Sequence, residues 1–161
     1  MDTVESLCAV VGEEARVCAS LVALLRQEQE AVVALRPGSI LACLEERELL
    51  HEALAAVAAR RRALVQEVAC VRGSEAASVS ALLPLLGSEP QARLRTELRR
   101  LRRVLLEARG LERQNARLVV SGLETTNDLL RALSALVPGA RYGADAKLAP
   151  PAGGDGLHRH V

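Results

Sequence analysis

The residues in this chain that could do chemistry are a histidine–glutamate pair, scattered cysteines and many arginines. His51-Glu52 opens like the H-E-x-x-H of zinc proteases, but Ala55 stands where the second histidine ligand belongs. Glu48-Leu49-Leu50-His51 matches the Glu-x-x-His of di-iron helical bundles, which needs a second copy and further glutamates on facing helices. The other histidines, His158 and His160, fall in a Pro- and Gly-rich tail that offers a metal neither fixed geometry nor a supporting shell. Glu48, His51 and Glu52 therefore read as a solvated helix face. Cys8, Cys18, Cys43 and Cys70 include no C-x-x-C pair and read as small core hydrophobes in a reducing cytosol. Gly153-Gly154-Asp155-Gly156 precedes no helix that could cradle a phosphate. No metal, cofactor or catalytic turnover is expected.

All basic residues but Lys147 are arginine, a bias that a GC-rich genome produces without any function. Arginines from separate long helices can clamp a dicarboxylate, as in all-helical chorismate mutases, and Arg16, Arg60 and Arg103 are the candidates here. Arginines on long helices normally face solvent beside glutamates at i±4, so a small-molecule substrate is not expected. The run Arg93–Arg103 suggests nucleic acid at first sight. Leu94, Leu98, Leu101 and Leu105 inside it follow helical spacing, however, and no aromatic accompanies it for base stacking. With a net charge of +1 the whole chain has no strong pull on polyanions, and nucleic acid is not an expected partner.

What elements would carry these residues? The chain has 161 residues, half of them apolar, with Tyr142 its only aromatic. Leu, Val and Ala without aromatic bulk suit helices packed along narrow seams better than sheets. From Val4, the positions Val4, Leu7, Val11, Glu14, Cys18, Leu21, Leu25, Glu28, Val32 and Leu35 form a helical seam broken only by two glutamates. Arg36-Pro37-Gly38-Ser39 is a break, with Ser39 placed to cap the second helix. The first helix is expected over 3–35 and the second over 40–71, folded back antiparallel as a hairpin. Gly73-Ser74 ends the second, and 75–86 reads as a short helix or connector limited by Pro84. Ser88-Glu89-Pro90-Gln91 has the pattern of a capping box, so a third long helix is expected over 89–136. The fold class is all-α: an antiparallel long-helix bundle or coiled coil of three long helices with a short connecting helix. One helical domain spans 1–137, and 138–161 is a flexible C-terminal segment.

The charge is uneven. Residues 1–35 carry six acids against two arginines, and residues 93–113 carry eight arginines against three acids. Complementary neighbouring helices are the plain explanation, and a binding surface on the basic helix is the other. The third helix also carries more apolar stripe than three-helix packing needs: Leu111, Leu118, Val119, Leu129, Leu130, Leu133 and Leu136, interrupted by Asn115, Gly122 and Thr126. An uncovered apolar stripe is a docking surface for a partner helix, unless it buries against the first helix or against a copy of itself in a homodimer. The acidic start lacks a secretory n-region, and no apolar run reaches the roughly 18–20 residues of a membrane span, so a cytoplasmic location is expected.

Three segments carry a family resemblance. Leu24-Leu25-Arg26-Gln27-Glu28-Gln29-Glu30-Ala31-Val32, Leu44-Glu45-Glu46-Arg47-Glu48-Leu49-Leu50 and Leu111-Glu112-Arg113-Gln114-Asn115-Ala116-Arg117-Leu118 resemble, in order and spacing, segments of the FlgN family of flagellar export chaperones. Tyr142-Gly143-Ala144-Asp145 is similar to that family's tyrosine–glycine ending. Arg47 stands near where the family usually has lysine, and the Pro/Gly/His tail is extra. The resemblance implies a type III export chaperone that binds the C-terminal helical segments of hook–filament junction proteins. It would keep them unassembled and deliver them to the export gate, residing at the membrane only transiently. Leu111, Asn115, Leu118, Val119, Leu129, Leu130, Leu133 and Leu136 are then the client-binding residues. Tyr142 either caps the end of the third helix or contacts the gate. The alternative is a structural coiled-coil scaffold that dimerises through the third helix and escorts nothing.

Overall fold

The computed structural model describes residues 3–136 and the backbone at 141–142 and 148–149, with side chains described up to residue 135. The fold is all-α: α1 (Thr3–Val33), α2 (Pro37–Val71), the short α3 (Val79–Leu82) and α4 (Ser88–Leu136). A 3-10 turn, Leu83–Leu85, comes directly after α3. Two short strands, β1 (Arg141–Tyr142) and β2 (Leu148–Ala149), pair antiparallel with Tyr142 opposite Leu148. The chain divides into two compact units, Met1–Val119 and Val120–Val161. The boundary expected between 137 and 138, and the tail beyond it apart from these two strands, lie outside the described residues.

The seam of α1 behaves as its spacing demands. Every one of its positions from Val4 to Glu28 is buried, and Leu7, Val11, Cys18 and Leu25 are completely enclosed. They share one core with Val65, Val68 and Ala69 of α2, Leu82 of α3, and Leu94, Leu101, Val104 and Ala108 of α4. Each buried leucine is worth about 1.5–3 kcal/mol, against about 0–1 kcal/mol for an exposed ion pair, so this seam dominates the first unit's stability.

The seam fails at its end. Leu35 is 82% exposed, because α1 stops at Val33 and Leu35 takes a left-handed φ of 51°. Leu35 N–H donates to Val32 O and Arg36 N–H to Ala31 O, the paired bonds of a Schellman ending. Glycine usually holds that position, but here a leucine does while Gly38 sits inside the next helix. Arg36, not Ser39, occupies the cap position of α2, and Pro37 is its first residue. A proline's fixed φ suits a first helical position, where its missing N–H costs nothing. At the far end of α2, Gly73 (φ 61°) and Ser74 close the helix as expected.

The start of α4 lies where the sequence places it, within one residue, for a different reason. Ser88 is already helical, and Gln91 N–H donates to Gly87 O. The Gln91 side chain reaches back to Leu83 O at 2.8 Å instead of joining Ser88 in a capping box. It ties α4 to the turn after α3. Within α3, Ser78 is the true cap, its hydroxyl accepting from Ala81 N–H at 3.2 Å.

The acids of α1 do not pair with the arginines of α4. Glu13, Glu14 and Glu28 bind Arg60, Arg61 and Arg47 of α2, with N–O distances of 3.0, 2.7 and 3.1 Å. Glu14 and Glu28 are buried, and their guanidinium partners let a carboxylate occupy a core seam. Among the described residues, the pair joining α1 to α4 runs in the opposite sense, from Arg26 to Glu107.

Candidate functional site

Of the residues singled out in α4, the structure separates two groups. Those up to Val119 belong to the first unit. Leu111 packs half-buried against the core, Leu118 is half-buried and Val119 is exposed. Asn115 is only 3% exposed. Its amide Nδ2 donates to Leu25 O at 2.8 Å and to Glu28 Oε2 at 3.1 Å, and Glu28 in turn accepts from Arg47. Sequence spacing reads Asn115 as an interruption of a docking stripe; its side chain instead ties α4 to α1, beside the Glu28–Arg47 pair that ties α1 to α2.

The second group lies in the second unit and is open. Leu129, Leu130 and Leu133 are 60%, 52% and 59% exposed. At 100° per residue they fall, with Leu123, Gly122 and Thr126, in an arc of about 120°, while Glu124, Asp128 and Arg131 occupy the opposite side. Polarity within the arc is low. Thr126 turns its hydroxyl back onto Gly122 O at 2.9 Å, and Ser134 beside the arc does the same onto Leu130 O at 2.8 Å. A Cβ at Gly122 would meet nothing within 4 Å, so glycine there is not required by the surrounding fold and leaves a dent in the face. The side chains of Leu136 and Tyr142 lie outside the described residues.

Sequence reasoning missed Val120 and Leu123, both exposed apolar residues of this helix. The signal for Leu123 was present: Val119, Leu123, Thr126, Leu130 and Leu133 form a second line at 4-3-4-3 spacing beside the one through Leu118 and Leu129.

The other candidate chemistry does not assemble. Glu48, His51 and Glu52 are all exposed on α2. Among the described residues no group of three or more His, Cys, Asp or Glu side chains could hold a metal ion. Arg60 is bound to Glu13, while Arg16 lines a cleft between α1 and α4 with Arg93 and Arg100. Burial and the charge of Glu14 push the Cys18 thiol up to about 11, and burial, aided by Glu28 and Glu46, raises Cys43. These are unreactive core thiols. Among the described residues, no helix is long and apolar enough to cross a membrane.

The resemblance implies two long antiparallel helices, a short connector and a longer C-terminal helix, and α1, α2, α3 and α4 follow in that order. A family model described as FlgN protein matches residues 1–150. The chain belongs to the FlgN family. FlgN proteins are flagellar export chaperones, a family of binding proteins and not of enzymes. Searches of curated proteins and of solved structures found no match to the chain.

Proposed function

We propose that this FlgN protein captures the C-terminal helical segments of hook–filament junction proteins on the open leucine face of α4, keeps them unassembled and delivers them to the flagellar export gate. The observation that carries the reading is the exposure of Leu129, Leu130 and Leu133 on one side of a helix whose other side is charged. A junction subunit's terminal helix is itself amphipathic and would associate with its own kind if left bare. Covering its apolar side removes area from water at about 25 cal/mol per Å². The dent at Gly122 and the short side chain of Thr126 make room for a partner's larger residues while limiting contact, which suits a client that must later be released. The chaperone works in the cytoplasm and meets the membrane only through the gate.

The test is calorimetric titration of the full chain with a junction-protein C-terminal peptide. Leu129→Asp with Leu133→Asp should abolish binding and leave the circular dichroism unchanged, because both side chains are exposed. Unchanged affinity in that variant would move the docking face elsewhere. A stable dimer of the free protein, dissociated by the same two substitutions, would favour the scaffold that dimerises through α4.

A further inference from the structure

The first unit holds a second open apolar surface, built from different residues. Leu83, Leu98, Leu105 and Leu106 floor a groove of about 560 Å³ between α4 and the 3-10 turn after α3. Leu106 is an exposed residue, and Leu83, Leu98 and Leu105 lie half-buried beside the core. Arg95, Arg99, Arg102 and Arg109 rim the groove, and no acid lines it. Among the described residues none of these four arginines has a carboxylate partner. Arg95, Arg99 and Arg102 stand at i, i+4 and i+7 of one helix, where like charges repel. A GC-rich genome would favour arginine over lysine. It does not account for four of them around leucines without a single acid among them.

We propose that this groove docks an acidic amphipathic helix of a partner protein, its leucine-like side chains on the floor and its carboxylates on the arginine rim. From Arg95 to Arg109 the groove follows α4 for about 21 Å, which accommodates about four turns of a partner helix. Guanidinium groups flanking an apolar floor match the two faces of such a helix at once. A flat anionic membrane fits less well, because three of the four floor leucines are recessed and no aromatic anchor stands beside them. Nucleic acid fits less well again, since it has no use for a leucine floor. A second copy of this chain could offer the exposed Glu45, Glu48 and Glu52 of α2, and sedimentation separates that occupant from a different protein. The proposal does not rest on where junction-protein clients bind.

Fluorescence anisotropy of the full chain tests it. The probe is a labelled peptide of about 18 residues with leucines at helical i, i+3 and i+4 spacing and glutamates on the flanks. Saturable binding is expected, weakening as salt is added. Arg95→Glu, Arg99→Glu and Arg102→Glu together should weaken it by about tenfold or more, whereas the Leu129→Asp and Leu133→Asp variant should bind as the parent does. Should charge reversal lower the helical circular dichroism, the triple alanine variant replaces it with the same expectation. No binding, equal binding of a peptide with lysines for glutamates, or indifference to the arginine variants would overturn the proposal. So would binding of phosphatidylserine vesicles without peptide binding, which would make the surface a membrane contact. A dimer in sedimentation that the arginine variants dissociate would overturn it in favour of a second copy.

Discussion

Asn115 is a buried amide that fastens α4 to α1. Both acceptors of its Nδ2, Leu25 O and Glu28 Oε2, lie on α1, whereas Oδ1 is buried with no protein partner. Asn115→Ala should therefore destabilise by about 1–2 kcal/mol, the lower part of the range for a buried polar contact. Thermal unfolding should show a fall of roughly 2–8 °C, with client affinity unchanged. A variant that melts normally but loses the client would return Asn115 to the docking surface. Cys18 gives a second residue-level expectation. Its folded pKa of about 11 lies above the unfolded value of 9.0, so the unfolded chain releases the thiol proton first. Cys18 thus contributes stability below pH 9.0 that is lost as pH rises towards 11, and Cys18→Ala should flatten that loss in denaturation curves taken across the window. At pH 8 in the native state, a thiol reagent should label exposed Cys70 and spare Cys18.

Among the elements, Gly122 offers the clearest trial. A methyl group there meets no neighbour, so Gly122→Ala should stabilise the helix by up to about 1 kcal/mol. If the dent receives a client side chain, the same substitution should weaken client binding, and calorimetry beside thermal melts separates the two effects. Affinity that rises or stays level would mean that the client passes Gly122 by. The elements themselves were largely legible in the sequence. Three- and four-residue spacing fixed the seam of α1, and Pro37, Gly73 and Ser88 fell at or beside helix ends because their backbone preferences are local. What sequence spacing could not supply was the identity of partners. Glu14 and Glu28 looked like seam breaks until Arg61 and Arg47 were seen to reach them from α2. Leu35 looked like core until its left-handed φ turned it to solvent. The leucine face was legible in part: Leu123, Leu129, Leu130 and Leu133 follow from periodicity, whereas burial at Asn115 depends on which helices lie beside α4.

For the molecule as a whole, the proposed role assigns holding a client and handing it on to different residues. Tyr142 lies beyond α4, its backbone paired with Leu148. Tyr142→Ala should leave client affinity and melting temperature nearly unchanged and reduce secretion of the junction proteins from cells. A large fall in melting temperature would instead assign the ring to the fold. The hairpin of α1 and α2 must be assembled in one alignment, and its buried acids act as the key. If α2 slid along α1 by about one heptad (roughly seven residues), Glu14 would face Leu54 or Val68, and Glu28 would face Ile40 or Leu54. A carboxylate pressed against hydrocarbon without its guanidinium costs several kcal/mol, far more than the slip would change among the interchangeable leucines and valines around it. In a core with no described aromatic to lock its fit, two glutamates set the reading frame in which one helix finds the other.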